Sequence, residues 1–323
     1  TARNNFKLLL DEVRNEPQPK GIHKRNLAHK IALVATEIYN GKDEGFNEIR
    51  KILDTQEEEP IEDISITTNI DELMKLIDVT TRWKFNLPTL HERVTGIGDG
   101  NLTIIFARPE TGKTAFWINL VAGMDGFASQ GANIHALINE EPAVRTQMRL
   151  INAWTGLDRE EIQENMDMAT QKWAEIRQNI KLFDTVDWSI DDIDSHLAVH
   201  KPDILVIDQL DKVNVGGTFA RGDEKLRAIY TGTRELAKRR NCSIIAISQA
   251  SADAHNKLEI SFDMMENSKT GKAAEADLVI GVGKRSDLGE ASERSICVSK
   301  NKITGWHGTI HCNINDRLSR YVV

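Results

Sequence analysis

Cysteine is scarce: the chain has three, Cys242, Cys297 and Cys312, an odd number with no C-x-x-C spacing. That argues against a disulfide framework or a cysteine-built zinc site and fits a reducing compartment. Long apolar runs are missing too. No stretch approaches the ~18 residues of a membrane-spanning helix, and no signal peptide is visible, so the expectation is a cytoplasmic protein with no membrane partner. Positive charge is also in deficit, the formal net charge being −8. A protein that coats duplex DNA non-specifically is usually basic, so any nucleic-acid contact must be confined to a few loops. There is no internal repeat, no low-complexity tract, and no initiator methionine; the chain opens Thr-Ala-Arg, as a fragment or processed form would. What remains is 323 residues, enough for one large or two ordinary domains with a real core.

The richest stretch is Leu102 to Gly123, LTIIFARPETGKTAFWINLVAG. Leu102 to Phe106 is a β-branched, apolar run that predicts a buried strand. Ala107, Arg108, Pro109, Glu110, Thr111, Gly112, Lys113 and Thr114 then form a phosphate-binding loop pattern, with alanine in place of the opening glycine, and Ala115 onward suits a helix. Backbone N–H groups of such a loop and of the new helix terminus point at anionic phosphates. Gly112 lets the backbone approach closely, Lys113 brings charge to the β- and γ-phosphates, and the Thr114 hydroxyl is a ligand for Mg²⁺. Ala107 is a departure that matters only if its position needs a positive φ.

Residues 1–53 read as a small all-helical module, with apolar residues at helical spacing (Phe6, Leu9, Leu10, Val13; Leu27, Ile31, Val34, Ile38; Phe46, Ile49, Leu53) and breaks at Pro17, Pro19, Gly21, Gly41 and Gly45. Residues 54–82 form an acidic linker holding one short helix, capped by Asn69 with Glu72 in capping-box position and striped by Ile70, Leu73, Met74 and Ile77. That stripe suits packing on its own domain or on a neighbouring copy. Residues 83–323 alternate strand and helix, an α/β pattern.

Three strand tips in this region carry polar groups. Asn133 to Ile138 ends in Asn139-Glu140-Glu141-Pro142, which puts Glu140 where a water-activating base belongs; Glu141 is better explained as charge at a helix N-terminus. Ile204 to Asp208 delivers a carboxylate suited to orienting Mg²⁺. Ser243 to Ser248 leads into Gln249, a γ-phosphate sensor or a strand-end cap. The polar stretch from Ala250 to Lys272, with His255, Lys257, Lys269 and Lys272, is long enough to be functional and cationic enough to meet nucleic acid. Trp154 and Trp173 read as packing residues. Further strands are expected at Asp277–Gly283, Arg294–Ser299 and Thr309–Ile314, with a basic turn at Lys300-Asn301-Lys302.

In this order the residues resemble a family, the DnaB-type and phage replicative helicases, which are ring-forming motors with a RecA-like core. ARPETGKT is similar to the family's phosphate loop, NEEP to its catalytic-glutamate motif, VIDQL to Walker B, and ISQA to the sensor strand. ENSKTGKAAEADLVI looks like the segment running from the DNA-binding loop into the next strand, and SKNKITGWHG like the basic hairpin that reaches a neighbour's nucleotide. The resemblance runs from about residue 69 to the C-terminus. It implies a RecA-like P-loop NTPase core with a mainly parallel central sheet, preceded by the helical module and linker helix.

It also implies ATP and Mg²⁺ held by the loop residues through Ala115, with Thr114 and Asp208 at the metal, Glu140 activating water, and Gln249 sensing the γ-phosphate. Arg285, Arg317, Arg320 and Tyr321 are placed to flank the nucleotide base. Lys257, Asn267, Lys269, Thr270 and Lys272 fall where the family lines its DNA channel, and Lys300 and Lys302 where it acts across the subunit interface. The family usually has arginine at the second of these; lysine keeps the charge and loses the bidentate fork. The implied partners are single-stranded DNA, further copies in a homo-oligomer expected to be a hexamer, and primase or other replisome proteins in a bacterial or phage-infected cell. Two rivals share the motifs: a RecA-like recombinase or switch ATPase that assembles without unwinding, and a non-catalytic ring or loader.

Overall fold

The computed structural model describes residues 66–217, 219–267, 271–285 and 292–323. The helical module expected at 1–53 and the first part of the acidic linker lie outside the described residues. Two compact units divide the chain, Thr1–Ile66 and Thr67–Val323, and the described fold is the second.

It begins with α1 (Ile70–Val79), whose N-terminus is capped by Asn69: the side-chain oxygen accepts from the N–H groups of Asp71 and Glu72 at 2.9 and 3.3 Å. Glu72 does not complete a capping box. It accepts instead from the Thr67 hydroxyl at 2.6 Å, and Thr67 in turn accepts from the Asn69 N–H at 3.2 Å. Every residue of α1 is at least partly solvent-exposed, its apolar stripe included; Ile70 is 75 % exposed.

A two-stranded ribbon of β1 (Trp83–Lys84) and β2 (Gly96–Ile97) encloses α2 (Pro88–Val94), where Pro88 opens the helix at a position whose N–H needs no partner. The main sheet then builds up through β3 (Leu102–Ala107), α3 (Lys113–Ala122), β4 (Ile134–Ile138), α4 (Ala143–Thr155), α5 (Arg159–Glu164), α6 (Met166–Ala174), β5 (Ile180–Asp184), α7 (Ile190–His200) and β6 (Ile204–Asp208). It continues with α8 (Gly222–Arg240), β7 (Ser243–Gln249), α9 (Gly271–Glu275), β8 (Leu278–Gly283), β9 (Glu293–Asn301), β10 (Gly308–Asn315) and β11 (Arg320–Val322).

Among the described residues the sheet order is β11-β10-β9-β8-β3-β7-β6-β4-β5. From β8 to β5 every pairing is parallel; β9, β10 and β11 join antiparallel at one margin. The sheet is thus mixed and mainly parallel, as the sequence predicts.

Burial explains the arrangement. All six residues of β3 are buried, because both faces of this central strand are covered. Alternation sorts them: Ile105 and Ala107 join the core beneath α3 and α4, while Leu102, Ile104 and Phe106 join the one beneath α7 and α8. Each such aliphatic or aromatic side chain contributes about 1.5–3 kcal/mol on full burial. Helix α3 is buried from Ala115 to Ala122, the pattern of a helix apolar on all sides.

Candidate active site

In an open parallel sheet, ligands bind beyond the carboxyl ends of the strands. Here those ends are Ala107, Gln249, Asp208 and Ile138, and register aligns them: Ala107 pairs with Gln249 and Ile138 with Asp208. One cavity of about 510 Å³ lies there, lined by Arg108, Pro109, Glu110, Gly112, Lys113, Thr114, Ala115, Glu140, Glu141, Arg149, Asp208, Gln249, Asp316 and Ser319. The groups read from separate motifs therefore meet in a single space.

The phosphate loop owes its shape to two residues. Glu110 has φ +60° and Gly112 φ +106°. Ala107 ends β3 in ordinary strand conformation, so the missing opening glycine carries no backbone cost. At Gly112 a side chain is excluded twice over: the φ is left-handed, and a Cβ would lie 2.6 Å from the Tyr321 hydroxyl and 2.7 Å from Ile314 Cδ1. The loop is also held from behind. Tyr321 donates its hydroxyl to the Gly112 carbonyl at 3.0 Å, and the buried Arg294 guanidinium donates to the Thr111 carbonyl at 2.6 Å.

The carboxylates are distinct in setting. Glu140 sits between two cations, with Lys113 Nζ and Lys212 Nζ each 3.7 Å from one of its oxygens. Its neighbour Asn139 fixes the local backbone by accepting from the Gln209 N–H at 2.5 Å and donating to the Gln209 carbonyl at 3.0 Å. Glu141 turns away to α4, accepting from Arg149 at 2.8 Å and Thr146 at 3.2 Å. Asp208 is buried; one oxygen accepts from the Trp117 indole at 3.1 Å, and the other has no hydrogen-bond partner among the described residues. Burial pushes its carboxyl above the usual range, more than the nearby Lys113 pulls it down. A buried carboxylate oxygen lacking a donor, in a cavity also lined by the Thr114 hydroxyl, is a donor set that fits a divalent cation. Gln249 donates to the Gln209 side chain at 3.3 Å.

Other sequence candidates fall elsewhere. Lys272 is fully buried, not channel-facing: it ion-pairs with Asp211 at 2.8 Å and donates to the Ser248 hydroxyl at 3.1 Å. A cation with no water around it needs such a partner. Lys300 is engaged within its own chain, donating to the carbonyls of Ala273 and Ala274 at 2.5 and 3.0 Å, where it satisfies the end of α9. Burial holds its amine below the usual range, helped by the neighbouring Lys302. Lys302 itself is exposed.

Tyr321 is buried behind the loop, and Arg320 donates to the last carbonyls of α4, Ala153 and Trp154, at 2.7 and 3.1 Å. Neither they nor Arg285 and Arg317 line the cavity. Arg317 is an exposed partner of Asp158 at 3.5 Å. Lys257 and Asn267 are exposed on the stretch after β7; Lys269 and Thr270 lie outside the described residues. Sequence reading missed Trp117, Asn139, Arg149, Lys212 and Arg294. Of these only Arg294, a charge inside an apolar strand, carries a local signal.

A phosphate loop on the central strand of a parallel sheet, with acid and amide groups at the neighbouring strand tips, defines a P-loop NTPase with a RecA-like core. Comparison with known proteins narrows this. Residues 84–322 match the family described as DnaB-like helicase C terminal domain. The chain is 21 % identical over 285 residues to the replicative DNA helicase DnaB of Haemophilus influenzae, covering 82 % of this chain and 59 % of that one. It is 22 % identical to the DnaB of Buchnera aphidicola, covering 93 % and 72 %.

Among solved structures, the ATPase domain of a phage helicase superposes with a TM-score of 0.67 at 18 % identity, over 80 % of this chain and 99 % of that one. A DnaB-like replicative helicase, solved in a study of its interactions with primase, superposes with a TM-score of 0.70 at 17 % identity, over 93 % and 76 %. The chain belongs to the DnaB-like helicases through their C-terminal domain. It spans about three fifths of the length of the Haemophilus relative, 59 %.

Proposed function

We propose that this chain is the ATP-hydrolysing motor of a replicative helicase, which assembles into a ring, most simply a hexamer, translocates on single-stranded DNA and unwinds the duplex ahead of it. The convergence of Lys113, Glu140, Asp208 and Gln249 on one cavity carries the reading. Phosphoryl transfer to water asks a protein mainly for positioning and charge. The loop N–H groups and Lys113 grip the triphosphate. Glu140 takes the proton of the attacking water, and its two flanking lysines favour the ionised form that this requires. Gln249 touches the γ-phosphate and registers its loss. Thr114 and Asp208 would hold Mg²⁺, which supplies charge neutralisation at the β- and γ-oxygens.

The exposed stripe of α1, with Ile70, Leu73, Met74 and Ile77, suits a second copy of the chain. Lys302 is open to a neighbouring subunit, and the exposed Lys257 and Asn267, with Lys269 and Thr270 beside them in sequence, suit a sequence-tolerant grip on a phosphate backbone. A primase-type partner and a bacterial or phage-infected cytoplasm follow from the family. The deciding experiment is ATP-driven unwinding of a fork with one or the other tail blocked, by wild type and Lys113→Ala. Wild type is expected to open only one of the blocked forks, and the variant neither. ATP turnover on single strands with no fork opened by wild type would favour a recombinase-like enzyme instead.

A further inference from the structure

Four side chains the chemistry does not use form a buried polar cluster directly behind the cavity. Asp211 accepts from the Tyr230 hydroxyl on one oxygen and from the Ser248 hydroxyl on the other, both at 2.8 Å. Lys272 Nζ pairs with Asp211 at 2.8 Å, donates to Ser248 Oγ at 3.1 Å and lies 5.4 Å from the centre of the Tyr230 ring. The four belong to four places in the fold: the turn after β6, the tip of β7, the middle of α8 and the first turn of α9.

Their chain neighbours give the cluster its meaning. Ser248 immediately precedes Gln249, and in a strand consecutive side chains point to opposite faces. One of this pair lines the cavity and the other enters the cluster. The turn after β6 repeats the pattern: Gln209 meets Gln249, and Asp211 meets Ser248. The tips of β6 and β7 are thus bolted together on both faces. Lys272 extends the bolt to α9, the element that follows the polar stretch after β7. At its far end α9 is held by Lys300.

We propose that Ser248, with the Asp211–Lys272 pair it touches, is a positioning joint that carries the nucleotide state sensed at Gln249 to the segment leading into α9, and so to the grip on single-stranded DNA. Ser248 shares its backbone with Gln249, so a shift of the amide on losing its phosphate partner moves the hydroxyl that seats Lys272. The joint is polar and buried, which makes it directional in a way that apolar packing is not. This inference rests on the motor reading above.

The test uses the full chain with Ser248→Ala, which removes the joint and leaves the ion pair, and Ser248→Thr, which restores the hydroxyl. Three quantities are compared: ATP turnover without DNA, its stimulation by oligo(dT), and the ratio of oligo(dT) affinities with a non-hydrolysable ATP analogue and with ADP. Ser248→Ala is expected to keep basal turnover and to lose about tenfold in stimulation and in the affinity ratio, a usual size for coupling between sites; Ser248→Thr is expected to recover both. Wild-type coupling in Ser248→Ala overturns the joint and leaves the motor reading standing. Parallel loss of basal turnover, melting temperature and coupling also overturns it, since that marks plain packing. Wild type without any nucleotide-dependent grip on oligo(dT) overturns both. If Ser248→Ala does not fold, Asp211→Leu combined with Lys272→Met, an apolar replacement of the pair, is read by the same criteria.

Discussion

Tyr321 reaches from the last strand of the fold to the Gly112 carbonyl at 3.0 Å, so the phosphate loop is braced by a residue at the opposite end of the domain. The ring also meets Phe116 of α3 edge-on, 5.2 Å between centroids. Burial raises the phenol far above its ordinary range, so it stays a donor at any working pH.

Tyr321→Phe keeps the ring contact and removes only the hydrogen bond. The expected cost is about 0.5–1.5 kcal/mol, read as a lower denaturation midpoint, with weakened binding of a fluorescent ATP analogue. Unchanged nucleotide affinity would show that the loop holds its shape without the brace.

Glu140→Gln preserves size and removes the base. Turnover is expected to fall by about 10²–10⁴ while ATP binding persists, since Lys113 and the loop are untouched. Equilibrium binding measured beside steady-state hydrolysis separates the two; wild-type turnover in this variant would remove Glu140 from the chemistry.

Asp211→Ala strands the buried ammonium of Lys272 without its counter-charge. Loss of one partner of a buried pair costs about 3–5 kcal/mol. A urea midpoint close to wild type would mean that water reaches Lys272.

Acid should loosen the far side of the sheet. His135 on β4 meets His196 on α7 at 2.8 Å, with His200, Phe183 and Trp188 against the same rings. Burial pushes both His135 and His196 down to about 4, helped by His200 and, for His135, by Lys181. The unfolded chain takes up these protons near pH 6.5, the fold only near 4. Stability is therefore fully present above about pH 6.5 and declines as pH falls through that window. Chemical denaturation at about pH 7.5 and about pH 5 measures it. The decline should shrink in His196→Phe, and a flat profile in wild type would contradict it.

Much of the site is legible in local pattern. A β-branched run, a glycine-lysine turn and a helix succeed one another within Leu102 to Gly123, and strands ending in Asp208 and Gln249 announce themselves by an apolar run that stops at a polar residue. The parallel sheet then aligns those ends without further instruction. What escapes is long in range. Arg294 lies 183 residues from the carbonyl it holds, and Tyr321 lies 209 from its own. Lys272 reads as surface charge because its partner Asp211 sits in a different motif. Even the cap of α1 differs in detail: Glu72 has the right spacing for a capping box, but the Thr67 hydroxyl stands nearer to hand.

The bare stripe of α1 has a practical side. A solitary copy in dilute buffer is an amphiphile, with Ile70, Met74 and Ile77 facing water. Its sedimentation coefficient should climb with loading concentration, it should cling to phenyl resin and plastic, and a little mild detergent should change its apparent size before nucleotide is ever added.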